Sequence, residues 1–270
     1  MNTPAKSKVI TDRDQRLFMY IFENKIALGK QIRRDVFENR SFSAVNKRLA
    51  KLRHAGWLDY KVVIEGEQMR LAYSASRKAF RKFIKPTGDD FKGTKLKSEV
   101  PYHDIILGEI RSALVHYSNV RWYQTENMLV RDNPEDYEEN FLSRHLIIRL
   151  DGKLCINGVT KSGEDLICGL EYEATPKSPG RYRKKVMEYY VKDKSDAILY
   201  IFGTKVVERT VKRTEQELMK CGESQLHKTF YCDVQSVLRK MQTLNFVSQD
   251  DRIIRLERKT AEGAKVIQLR

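Results

Sequence analysis

The pattern of apolar and polar positions changes character along the chain. Leu17, Phe18, Tyr20, Ile21 and Phe22 recur behind Thr11, a good N-cap, and Asp12-Arg13-Asp14, which predicts a first helix with one apolar face. A second helical stretch covers Leu28 to Phe37. A third runs from Ala44 to His54, capped by Ser43, with Val45, Leu49 and Leu52 inward and Gly56 in the C-cap region. Tyr60 to Ile64 and Met69 to Tyr73 then alternate with period two around Glu65-Gly66, the pattern of a hairpin. Ser76 to Ile84 reads as a short basic helix. Lys85 to Val100, with Pro86, Gly88, Gly93 and few apolar residues, reads as a linker.

Beyond the linker the apolar runs are longer and unbroken. Pro101 opens a helix with Ile105, Ile106, Ile110 and Leu114 on one face, and Val120 to Tyr123 reads as a strand. Asp132 to Asn140 is acidic and predicts a loop. Leu146-Ile147-Ile148 and Leu166 to Leu170 predict two short, largely buried strands, the first leading into a turn at Asp151-Gly152. A helix from Ser178 to Val191, a buried strand from Asp196 to Phe202 and an amphipathic helix from Lys205 to Met219 follow. His227 to Cys232 reads as a strand, Asp233 caps a helix to Met241, and Arg252 to Leu269 alternates as an extra hairpin. Three helices and a hairpin over residues 1–84 predict a winged helix-turn-helix, with 85–100 as linker and 101–270 as an α/β domain.

Charge sharpens this division. The net charge of +15 over 270 residues draws a folded protein toward polyanions. It is segregated: residues 1–100 carry +12, residues 101–175 carry −6 and residues 176–270 carry +9. In the first block Asn46, Lys47, Arg48 and Lys51 share the outer face of the third helix, placed to enter a major groove of double-stranded DNA. Glu65 and Glu67 at the wing tip favour protein docking instead. Cys155, Cys168, Cys221 and Cys232 show no paired spacing and read as free thiols in a reducing cytoplasm. No apolar run is long enough to insert in a membrane.

The acidic middle block concentrates the chemistry. Strand alternation sends Glu171 and Glu173 to one face and Tyr172 to the other, so both carboxylates can share a site with Asp151. An oxygen-only set of this kind suits a hard divalent cation, Mg2+ or Mn2+. Lys177 lies four residues beyond Glu173, within reach of a phosphate or an attacking water. Arg181, Arg183, Lys184 and Lys185 crowd the start of the following helix and read as a phosphate cradle, or as a solvated charge run. Glu109 is the candidate third carboxylate, and His103 heads the same helix as either a capping or a functional residue.

The order Asp151-Gly152, Leu170-Glu171-Tyr172-Glu173, then Lys177-Ser178 with Arg181-Tyr182 and a basic helix resembles the nuclease-like half of replication-relaxation and MobC-type plasmid mobilisation proteins, which are similar to the PD-(D/E)XK restriction-endonuclease fold. His103-Asp104 matches a His-Asp pair at the head of the helix before the strands in that family. The resemblance extends over most of the chain and implies a metal-dependent phosphodiesterase with Asp151 and Glu171 in the metal positions. The chain departs from the pattern twice. Leu150 replaces a common proline, and Glu173 replaces the usual lysine, which leaves Lys177 as a migrated lysine or the site without activity.

The expected function is therefore a metal-dependent DNA nickase or endonuclease at a plasmid origin of transfer. Other relaxosome proteins and a coupling protein are the further expected partners. The rival is a non-catalytic origin-binding accessory protein or transcriptional regulator on a nuclease-like scaffold. Tyr182, Tyr189 and Tyr190 lie near enough in sequence for a covalent tyrosine route. The five histidines are scattered, against a three-histidine relaxase cluster, and nothing resembles an aromatic RNA-binding platform.

Overall fold

A computed structural model of the chain describes residues 10–84, 98–132, 150–157, 163–191, 193, 195–221 and 227–258. Most of the expected linker, the acidic loop after Asp132, the run Leu146-Ile147-Ile148 and the chain beyond Arg258 lie outside them. The chain divides into two compact units, Met1–Gly108 and Glu109–Arg270, and is of mixed α/β class.

In the first unit, helices α1 (Asp12–Glu23), α2 (Gly29–Val36) and α3 (Phe42–His54) surround a core built from Leu17, Phe18, Ile21, Ile32, Leu49 and Leu52. Thr11 and Asp14 cap α1 reciprocally, each side chain meeting the other's backbone N–H. The cap of α3 is Ser41 rather than Ser43: its hydroxyl accepts from the Ala44 N–H at 3.3 Å, and the helix begins at Phe42, ahead of the expected Ala44. Strands β1 (Ala27–Leu28), β2 (Leu58–Glu65) and β3 (Gln68–Ala75) form a three-stranded sheet in the order β1-β3-β2. The turn between β2 and β3 is Gly66-Glu67, with Gly66 at φ 60°, a left-handed value glycine tolerates. A helical turn α4 (Arg77–Ala79) runs into a π-helical turn, Phe80–Ile84, whose Phe83 ring stacks on Phe18 and tilts against Trp57.

In the second unit, β4 (Val120–Thr125), β5 (Gly152–Ile156), β6 (Leu166–Glu173), β7 (Ala197–Phe202), β8 (Thr229–Asp233), β9 (Thr243–Val247) and β10 (Ile253–Glu257) form one seven-stranded sheet in the order β10-β9-β8-β7-β6-β5-β4. The pairs β6–β7 and β7–β8 are parallel and the rest antiparallel. Parallel neighbours need crossovers, which α7 (Pro179–Val191) and α8 (Lys205–Cys221) supply. Both helices pack on one face of the sheet: Tyr182, Val186 and Tyr189 of α7 and Val207 and Val211 of α8 share a core with Ile198, Tyr200 and Phe202. α6 (Glu126–Asp132) and α9 (Val234–Leu238) belong to this unit, and the boundary between the units falls within α5 (Pro101–Leu114), after Gly108.

Several expectations are corrected. Asp151-Gly152 is not a hairpin turn, because Gly152 is already the first residue of β5 and pairs with Leu170 and Thr125. A side chain there would meet the Gln124 carbonyl oxygen at 2.8 Å and the Tyr123 hydroxyl at 3.0 Å, so glycine serves close strand packing. The helix after Asp233 ends at Leu238, three residues before Met241, and Lys240 follows at φ 52°. Ile253–Glu257, inside the expected late hairpin, pairs with Thr243–Val247 upstream of it, and the stretch beyond Arg258 lies outside the described residues.

Candidate functional site

The site forms where the register of β5 and β6 runs out. Gly152 pairs with Leu170, so Asp151, one position further, stands opposite Glu171. Its backbone and its carboxylate fix that position on the two sides of Glu171. The Asp151 N–H donates to the Leu170 carbonyl at 3.0 Å, and Asp151 Oδ2 accepts from the Tyr172 N–H at 2.8 Å. Glu171 and Glu173 share a face of β6 with their register partners Tyr200 and Phe202 of β7, beneath α7, while Tyr172 points to the other face. Both carboxylates are buried, Glu171 at 2% exposure and Glu173 at 5%.

Two lysines answer them. Lys185 of α7 ion-pairs with Glu171 Oε2, and Lys177 Nζ lies 2.7 Å from Glu173 Oε2. Lys177 is further placed by its backbone N–H, which donates to the Tyr182 hydroxyl at 2.9 Å. Asp151, half-buried, is a third carboxylate beside these two ion pairs. The crowding of acids bears on Glu171. Burial pushes its carboxyl up to about 8 against the pull of Lys185, with Asp151 and Glu173 adding to the rise. Burial alone would lower the Lys185 ammonium, but Glu171 and Asp151 outweigh it and hold Lys185 above the usual lysine value. Glu171 Oε1 has no hydrogen-bond partner among the described residues, nor has the hydroxyl of Tyr189, whose titration is raised by burial and by Glu171.

This donor set fits a hard cation in one respect and limits it in another. A buried carboxylate oxygen without a hydrogen-bond partner among the described residues is what a cation would satisfy. Among the described residues, however, no three His, Cys, Asp or Glu side chains are grouped so as to hold a metal ion, so Asp151, Glu171 and Glu109 do not make a three-carboxylate shell. Two carboxylates suit Mg2+, which usually keeps several waters and takes one or two protein oxygens.

The remaining expected residues are placed as follows. Arg181, Arg183 and Lys184 are exposed at the start of α7, and Arg183 lies 3.4 Å from Glu217. Lys185 is not part of that solvated run. Tyr182, Lys185, Val186 and Tyr189 follow helical spacing, which puts Lys185 on the buried stripe. Tyr182 and Tyr189 are buried, and burial raises both hydroxyls. The Tyr190 hydroxyl donates to Glu215 Oε1 at 2.5 Å and accepts from the Lys228 N–H at 2.7 Å, which commits it to a buried network around Glu215. His103 belongs to the first unit, with Nδ1 3.4 Å from Asp104 Oδ1, and Glu109 is half-buried in α5.

On α3, Asn46, Lys47 and Lys51 are exposed, as a groove-facing helix requires. Arg48 is not available in the same way. Its Nε donates to Asp14 Oδ1 at 2.8 Å, and its guanidinium pairs with Asp14 Oδ2, tying α3 to α1. Burial works against the Asp14 carboxylate, but Arg48 and Thr11 outweigh it and hold Asp14 below its ordinary value.

No family model, curated protein or solved structure matches the chain. Among the described residues no helix is long and apolar enough to cross a membrane.

The raised Glu171 carboxyl makes stability depend on pH. Unfolded, Glu171 titrates near 4.5; folded, near 8. Between these values the folded state keeps a proton that the unfolded chain has lost, so stability falls as pH rises, by at most about 1.4 kcal/mol per pH unit. Glu171→Gln has no such proton to lose. The difference in unfolding free energy between wild type and Glu171→Gln, measured by urea denaturation, is expected to fall from pH 4.5 to 8 and to be flat outside that window. A constant difference contradicts the assignment.

Proposed function

We propose that the chain is a DNA-binding protein whose second unit is a PD-(D/E)XK-like, divalent-metal-dependent phosphodiesterase, acting as a nickase at a plasmid origin of transfer. The observation that carries this reading is Asp151 set opposite the buried Glu171, whose Oε1 has no hydrogen-bond partner among the described residues, beneath a basic helix. Asp151 and Glu171 would hold Mg2+ or Mn2+, the ion supplying Lewis acidity at a phosphate oxygen and a bound water of lowered pKa. Lys185, rather than the expected Lys177, is the lysine beside the Asp151–Glu171 pair and offers an ammonium to a phosphate oxygen there. Lys177 holds Glu173, and Arg181 and Lys184 contact the flanking phosphates. Burial of Tyr182 and Tyr189 and the engagement of Tyr190 favour hydrolysis by water over a covalent tyrosine.

The first unit, with three helices, a small sheet and a β2–β3 hairpin, supports reading it as a winged helix-turn-helix that positions DNA through Asn46, Lys47 and Lys51. Lys47→Ala and Lys51→Ala are expected each to weaken duplex binding and to reduce the slope of log affinity against log salt by about 1. Arg48→Ala is expected to lower the unfolding free energy by about 1–3 kcal/mol, since it strands a buried carboxylate. Fluorescence anisotropy across a salt series and urea denaturation separate the two classes. An Arg48→Ala variant of full stability whose salt slope falls like those of the lysine variants overturns the division.

A second reading rests on the ion pairs themselves. Lys185 and Lys177 already face Glu171 and Glu173, so the cluster could serve as a closed polar core in a DNA-binding accessory protein. Cleavage decides between them. Supercoiled origin plasmid with Mg2+ is expected to become open circular, and at least about a hundredfold more slowly with Asp151→Ala. Plasmid that binds the protein yet stays supercoiled at every pH and with either metal supports the accessory reading.

A further inference from the structure

The β2–β3 hairpin carries more exposed apolar surface than a solvated ribbon needs. Tyr60, Val62 and Ile64 stand on one face of β2, with Leu71 and Met69 opposite Val62 and Ile64, and Met69 is 79% exposed. Single exposed apolar residues are ordinary, but a contiguous set on one face marks an interaction surface. Beside it lies a groove of about 620 Å³ between α2, α3 and β3. Leu28, Ala50, Leu71 and Tyr73 line its apolar part, and Lys30, Arg33, Arg53 and Arg70 its cationic part. Glu65, the acid among the lining residues, is ion-paired with Lys30 and lies 3.9 Å from Arg70.

The backbone along this groove is incomplete as a sheet. β1 pairs with β3 only through Ala27–Tyr73 and Leu28–Ala72, after which the chain turns into α2. Among the described residues no strand continues that ladder along Gln68–Leu71, so this edge of β3 presents backbone donors and acceptors beside the groove.

We propose that the groove binds an extended segment of a partner protein, with alternating apolar and acidic residues, that adds as a strand to the edge of β3. Backbone bonds to the edge supply affinity, and alternate side chains reach the apolar lining and the cations. The charge excludes the same region of a second copy, because residues 1–100 carry +12 and would meet their own sign. It also separates this occupant from duplex DNA, whose phosphates match the cations but offer no apolar side chains to Leu71 and Tyr73 and no strand edge to β3.

The test is selection of random peptides of about twelve residues on the full chain, with Met69→Glu/Leu71→Glu as the subtracting variant. Met69 and Leu71 are exposed, and an unchanged thermal midpoint confirms that the variant is folded. Enriched sequences are expected to be acidic with alternating apolar residues. A synthetic copy should lose about tenfold in affinity on charge reversal at Arg53 and Arg70, and about tenfold on N-methylation of alternate peptide residues on the edge-facing side. Basic or absent enrichment, affinity indifferent to N-methylation, or an oligonucleotide whose binding depends on Met69 and Leu71 overturns the proposal.

Discussion

The second unit depends on burying the Glu171 and Glu173 carboxylates, each with a lysine partner, under one helix. Asp151, Glu171 and Glu173 face Lys177 and Lys185, and water is excluded from Glu171. An arrangement of this kind costs stability that an apolar core would not. It persists because both sides are over-determined. Asp151 is held astride Glu171 by one backbone bond and one side-chain bond, and Lys185 is carried on a helix whose neighbours Tyr182, Val186 and Tyr189 lock it onto the sheet.

The sheet explains how such a cluster can be built at all. In the parallel run β6-β7-β8 the crossovers α7 and α8 cover the same face, so one face becomes a closed layer. A second buried acid in that layer shows the other outcome. Glu215 of α8, fully buried, accepts hydrogen bonds from Tyr190, Tyr231, Gln249 and the Thr229 N–H. Two carboxylates lie under the same pair of helices. One is fully engaged, and the other keeps an oxygen without a partner. That contrast is why Glu171, rather than Glu215, carries the functional reading.

Period-two alternation placed Glu171 and Glu173 together, and helical periodicity located α1, α3, α7 and α8 close to where they lie, because each buries a continuous apolar stripe. The partners of those residues were less legible. Lys185 was grouped with its basic neighbours, although its spacing from Tyr182 and Tyr189 marks it as the cation on the inward stripe. Arg48 sits among exposed basic residues, and its partner Asp14 is 34 positions away, beyond any local signal. Asp151-Gly152 has the composition of a turn, yet Gly152 is there for the close approach of the Gln124 backbone, which only pairing reveals. β9 was missed because Thr243–Val247 is short and draws its support from β10 and β8.

Glu171 holds a proton at neutral pH even with the Lys185 ammonium beside it, because burial outweighs that pairing. Calorimetric titration of Mg2+ or Mn2+ at pH 7 in buffers of different ionisation enthalpy measures this protonation directly, because metal binding must expel that proton. The account predicts release of about one proton per ion bound by the wild type and none by Glu171→Gln. Binding without proton release, or equal release from both proteins, would contradict it.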